Sequence, residues 1–141
     1  MTAPWLPWAL ASAGFAALTA ILAKIGVAGV NSDLATLVRT VVILGVCIAI
    51  VTVTGQWRPL IDLAPRPLLF LGLSGLATGA SWLCYFRALK LGDAARVAPV
   101  DKLSVVLVAV FGVALLGERL SAQAWAGVIL TGLGVLLVAT G

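Results

Sequence analysis

Five stretches of about 19–22 mostly apolar residues divide this chain, and each is long enough as a helix to cross a bilayer core of roughly 30 Å. They run at about 5–24, 34–54, 68–89, 97–116 and 122–140, with short polar breaks between them. The expected fold class is therefore an all-α membrane protein with five transmembrane helices, forming one domain over residues 1–141 with no soluble part. Composition agrees. Of the 141 residues 62% are hydrophobic and 10% charged, and mean hydropathy is +1.19. Soluble domains carry about 25% charged residues. A chain this apolar has too little polar surface for a soluble enzyme, a nucleic-acid-binding module or a disordered tail. The net charge of +4 does not reopen the nucleic-acid reading, because the nine Lys and Arg are scattered singly with no basic run.

Histidine is absent, which removes the usual general base and the commonest metal ligand. Cys47 and Cys84 lie inside apolar runs without metal-ligand spacing and read as small core thiols. No nucleophile–base pair or cofactor motif appears, so neither catalysis nor a bound cofactor is expected. The first run is too long for a signal-peptide core and has no Lys or Arg before it, so it is expected to remain as a membrane helix.

The breaks carry helix punctuation. Asn31-Ser32-Asp33 is expected to cap the second helix. Gln56-Trp57-Arg58-Pro59 and Pro65-Arg66-Pro67 bound a polar loop, and Leu91-Gly92-Asp93 reads as a turn with a glycine helix stop. Gly117-Glu118-Arg119-Leu120-Ser121 reads as a tight turn with Ser121 as the next N-cap. Small residues recur at helical spacing: Ala9, Ala13 and Ala17; Gly75 and Gly79; Gly127, Thr131 and Gly134. In lipid such residues let backbones approach closely, within one chain or between two.

Five spans put the two termini on opposite sides. Side A then holds Lys24, Arg39, Arg87, Lys90, Arg96 and Lys102, and side B, with the N-terminus, holds Arg58, Arg66 and Arg119. By the positive-inside rule side A is cytoplasmic. Lys24, Arg39, Arg87 and Lys102 lie inside the apolar runs, however, and without them the count is nearly balanced, as a protein inserting both ways up requires. These four cations either snorkel to the side A interface or line a cationic vestibule open to that side. Trp5, Trp8, Trp57 and Trp125 fall at side B helix ends as an interfacial belt.

Asp101-Lys102 is the most informative pair. Pro99 removes a backbone hydrogen bond and can break the helix there, and unwound segments beside charges serve as binding sites in transporters. Neighbours on a helix point about 100° apart, so Asp101 is expected to neutralise Arg39 or Lys24 while Lys102 faces the cavity. A structural ion pair is the plain alternative. Thr78, Trp82 and Tyr85 share one face of the third helix and read either as core or as a wall that contacts substrate by stacking and a hydroxyl. The candidate substrate-binding set is Lys102, Asp101, Trp82, Tyr85, Arg39, Lys24 and Thr78.

Ser81-Trp82-Leu83-Cys84-Tyr85-Phe86-Arg87-Ala88-Leu89, then Val97-Ala98-Pro99-Val100-Asp101-Lys102-Leu103-Ser104, then Leu116-Gly117-Glu118-Arg119-Leu120 and the glycine-bounded 127–132 resemble the EamA family of the drug/metabolite transporter superfamily. Ala23-Lys24-Ile25-Gly26 and Ala35-Thr36-Leu37-Val38-Arg39-Thr40 resemble its first two helices. The resemblance covers nearly the whole chain. It implies export of metabolites, amino acids or drugs across the bacterial inner membrane. Most members carry two five-helix units as inverted repeats, and this chain resembles one. An antiparallel homodimer, or pairing with a related five-helix protein, would restore ten helices. The related small multidrug resistance proteins use a glutamate in their first helix, where this chain has no acid. Three functions follow as expectations: a secondary transporter of anionic or zwitterionic, amino-acid-like metabolites; a proton-coupled exporter of organic cations acting through Asp101; and a non-transporting membrane subunit or passive channel.

Overall fold

The structure is a computed structural model that describes residues 3–59 and 62–141; positions 60–61 of the expected polar loop lie outside the described residues. Helices account for all regular structure among them. They are α1 (Leu6–Val27), α2 (Ser32–Val53), α3 (Pro65–Leu91), α4 (Ala94–Asp101), α5 (Leu103–Leu116) and α6 (Ala122–Thr140). Five spans are long and apolar enough to cross a membrane: α1, α2, α3, the α4–α5 pair taken together as Ala94–Leu116, and α6.

The caps explain where these helices begin and end. Asn31 Oδ1 accepts from the backbone N–H of Asp33 at 2.8 Å and of Leu34 at 3.3 Å, meeting two of the donors that a helix start leaves orphaned. Ser121 Oγ does the same for Ala124 N–H at 3.2 Å. Helix α2 ends in a Schellman turn: Gln56 N–H donates to Val51 O at 3.0 Å and Gly55 N–H to Thr52 O at 3.2 Å, with Gly55 at φ +64°. Gly117, at φ +69°, closes α5.

Gly92 follows the last residue of α3, as expected of a helix stop, but without the positive φ found among the described residues at Gly55 and Gly117. Two expected boundaries shift. Helix α3 starts at Pro65 rather than near 68. Prolines fit a first turn, where the missing N–H has no intrahelical partner to lose. Helix α1 runs past Lys24 to Val27.

Inside the spans hydroxyls turn back on their own helices. Thr36 donates to Ser32 O at 2.9 Å, Thr40 to Thr36 O at 2.8 Å, Thr52 to Ile48 O at 2.7 Å and Thr131 to Gly127 O at 2.8 Å. That satisfies each hydroxyl where lipid offers no acceptor.

The chain forms two compact units. One comprises the segment up to Ile21 with Leu91–Gly141, the other Leu22–Lys90. In the first, α4 and α5 pack on α6. A Cβ at Gly132 would stand 3.4 Å from Val106 Cγ2, so a bare glycine lets α6 approach α5 closely. In the second, Val27, Phe86 and Leu89 are buried, as are Ser32 and Thr36, and in the first Ala20 and Val135 are buried. Many large apolar side chains point outward, with Trp8 at 80% exposure. Lipid is the solvent of such a surface, and nothing drives it inward. The glycines at 75, 79, 127 and 134 also face open space, since a Cβ there meets no neighbour. Within its own unit, neither stripe is spent on packing.

The Gly55 turn yields a direct test. Gly55→Ala forces a side chain into the left-handed region at a cost of about 1–2 kcal/mol. Thermal unfolding in detergent is expected to show a lower midpoint with unchanged helix content.

Candidate functional site

Two groups of charged side chains stand out, one in each unit. In the Leu22–Lys90 unit, Arg39 lies seven residues into α2, about 10 Å along the axis from Ser32. Its guanidinium carbon sits 4.3 Å from the centre of the Trp82 ring and 5.4 Å from that of Phe86. Trp82 and Phe86 are one helical turn apart on α3, so one face of that helix presents both rings. This is cation–π geometry, in which the negative face of each ring meets the positive charge. Phe86, only 3% exposed, anchors the arrangement, and the Tyr85 ring meets it edge-on at 6.4 Å and 69°. Thr78 donates to Ser74 O at 2.9 Å.

Three further cations tie together the end of this unit where α1 and α3 finish and α2 starts. Lys24 Nζ donates to Leu89 O at 2.8 Å, which meets a carbonyl that the end of α3 leaves without an intrahelical donor. Lys90 Nζ donates to Val30 O at 2.9 Å. Arg87 pairs with Asp33 at 3.4 Å, with side chains 67% and 52% exposed. Lys24 therefore holds a helix end, a task that its place in an apolar run did not reveal.

In the other unit the helix is interrupted at Lys102, three residues beyond Pro99. Lys102 has φ −74° and ψ −2°, its N–H donates to Pro99 O at 2.9 Å, and Val105 N–H donates to Lys102 O at 2.9 Å. The break is a tightened turn of 3₁₀ type rather than the unwound segment expected. Lys102 Nζ lies 3.1 Å from Asp101 Oδ2. The expectation that these neighbours face different partners fails: the long lysine stem reaches back to the preceding carboxylate. Ser104 Oγ adds a bond to Asp101 O at 2.9 Å.

Sequence reasoning chose Arg39 and Trp82 separately and assigned Arg39 an acidic partner. It missed Phe86, whose signal was its position one turn beyond Trp82. Among the described residues no cluster of three or more His, Cys, Asp or Glu could hold a metal ion. Cys47 and Cys84 are free and exposed on the helix surfaces.

Five apolar spans with cations set inside them are those of a polytopic membrane protein. The chain belongs to the EamA-like transporter family, whose model matches residues 3–140. It is 64% identical over 139 residues, covering 99% of each chain, to a Sinorhizobium sp protein named as an uncharacterized transporter in the cobO 3' region. No solved structure matches the chain.

The charge contacts make unequal predictions for stability. Asp33→Asn breaks an exposed ion pair and is expected to cost at most about 1 kcal/mol. Lys24→Met strips the donor from the part-buried Leu89 carbonyl and is expected to cost about 1–3 kcal/mol. Detergent unfolding of the two variants side by side measures the difference.

Proposed function

We propose that this chain is a secondary transporter that exports small anionic or zwitterionic, amino-acid-like metabolites across the bacterial inner membrane by alternating access, working as an antiparallel homodimer. The observation that carries the substrate charge is the excess of cations within the spans. Lys24, Arg39, Arg87 and Lys102 lie within or at the ends of apolar runs, against Asp101 as the acid at similar depth. A cation held in a membrane is costly unless it serves a solute or ion path. Lys24 and Arg87 have structural partners in their own unit. Arg39 meets aromatic faces, which leaves charge for a substrate.

The assembly follows from the odd number of spans. Two five-helix units fused in sequence are necessarily inverted, because the first ends on the side opposite its start. A single unit recreates that arrangement by pairing with a copy inserted the other way up, about a two-fold axis in the membrane plane. Nearly balanced loop charges permit both insertions. The outward-facing glycines of α3 and α6 support a second chain packing there. A related five-helix protein is the other partner that this surface would accept.

The cation-exporter reading gains nothing from the geometry, since Asp101 already faces the ammonium of Lys102 at 3.1 Å. Flux in proteoliposomes separates the readings. Vesicles holding the wild-type chain are expected to exchange labelled anionic and zwitterionic amino acids and to leave tetraphenylphosphonium untouched. Trp82→Ala and Lys102→Ala are expected to lower that flux without loss of insertion. Tetraphenylphosphonium flux driven by a pH gradient and lost in Asp101→Asn would reverse the assignment. Absence of any solute flux would make the chain a non-transporting subunit.

A further inference from the structure

We propose that Arg39 binds the carboxylate of the transported solute end-on, in the plane of its guanidinium, and that Trp82 and Phe86 hold the arginine charge in the empty site. This inference rests on the transport reading above and names the chemical group that the site selects.

The argument begins with the cost of the charge. An arginine in a membrane span needs a counter-charge, an acceptor or a path to water. Among the described residues of its own unit, Arg39 pairs with no carboxylate, and it meets the faces of two rings. Asp33 is engaged by Arg87 at 3.4 Å. A ring face stabilises a cation but accepts little from its N–H groups. The guanidinium donors all lie in its own plane, and with its carbon 4.3 Å over the Trp82 ring none of them meets a carboxylate within its own unit. The resting site thus combines a charge stabilised by ring faces with in-plane donors that no carboxylate of its own unit takes.

That geometry favours one oxyanion. A carboxylate is planar and its two oxygens match the guanidinium fork, giving two parallel charge-assisted hydrogen bonds. It adds no thickness above or below the guanidinium plane, so it can lie beside the rings that Arg39 faces. A phosphonate or phosphate is tetrahedral and places oxygens out of that plane, against the indole. The same reasoning separates arginine from lysine: an ammonium keeps the charge but loses both the fork and the flat stacking surface. Phe86 fixes the plane, since a buried ring cannot turn away when a ligand arrives.

Four probes that share one ring and differ in head group test this directly: benzoate, phenylphosphonate, benzylammonium and benzyl alcohol. Binding is measured by equilibrium dialysis against the purified chain in lipid nanodiscs. Wild type is expected to bind benzoate saturably, phenylphosphonate at least about tenfold more weakly, and the other two at background. Arg39→Lys is expected to lose about tenfold or more in benzoate affinity despite its retained charge. Arg39→Gln falls to background, and Arg66→Gln, in the first turn of α3, binds as wild type. A second readout needs no variant: benzoate is expected to protect Arg39 of the wild-type chain from phenylglyoxal, read by mass spectrometry of its peptide. The proposal is overturned if benzoate does not bind, if it binds no better than benzyl alcohol, if Arg39→Lys binds it like wild type, or if Arg39 is not protected. Binding and flux fail separately. Arg39-dependent benzoate binding in a chain without flux keeps this inference and discards the transport reading. Flux that survives Arg39→Gln does the opposite.

Discussion

A bilayer core offers no water to hydrogen-bond a backbone or solvate a charge, and every feature of this chain answers that constraint. The backbone is satisfied by helices closed at defined points: Asn31 and Ser121 at starts, Gly55 and Gly117 at ends. Threonine hydroxyls bond one turn back along their own helices. Charges inside the spans are met one at a time. Lys24 takes the Leu89 carbonyl, Lys102 takes Asp101, and Arg39 takes two aromatic faces.

These three solutions are not equivalent. A lysine on a helix-end carbonyl spends a strong donor on the fold. An adjacent Asp–Lys pair cancels its own charge. A guanidinium on a ring face keeps its directional donors available. Only the last combines local stability with unspent binding capacity, which is why the candidate site centres on α2 and α3 around Arg39. The EamA-like family and the 64% identical transporter of Sinorhizobium sp give that capacity a setting. A solute must be recognised inside a membrane, where a bidentate contact is undiluted by water.

Much of the fold was legible because lipid writes in a simple alphabet. Span length and apolar content located five crossings, and cap residues marked the start of α2, the end of α5 and the start of α6. The signal failed where one residue type serves two ends. Pro65-Arg66-Pro67 reads as loop, yet proline is equally at home in a first helical turn. Gly92 does follow the end of α3 at Leu91, though without the left-handed backbone found at Gly55 and Gly117. Pro99 announced a break, but the interruption came at Lys102, where the ladder tightens after the missing donor. The site was less legible still. Spacing put Trp82 and Tyr85 on a face, but the partner of Arg39 depends on how α2 meets α3. Charge pairing suggested Asp101, while the contact within the unit is with rings, which carry no formal charge for sequence inspection to match.

The larger claim is that one such unit works with an inverted copy of itself. Its outward glycines and apolar faces are surfaces that a second copy would cover, and an odd number of spans makes inversion the way to two related halves. The most direct measurement is labelling of a single cysteine placed at the C-terminus, in cells, with a membrane-impermeant maleimide applied from either side, Cys47 and Cys84 having been replaced by alanine. Two comparable populations, one labelled from outside and one only from the cytoplasm, with cross-linked pairs containing one of each, are the result this account predicts. Labelling of every molecule from one side alone would contradict it.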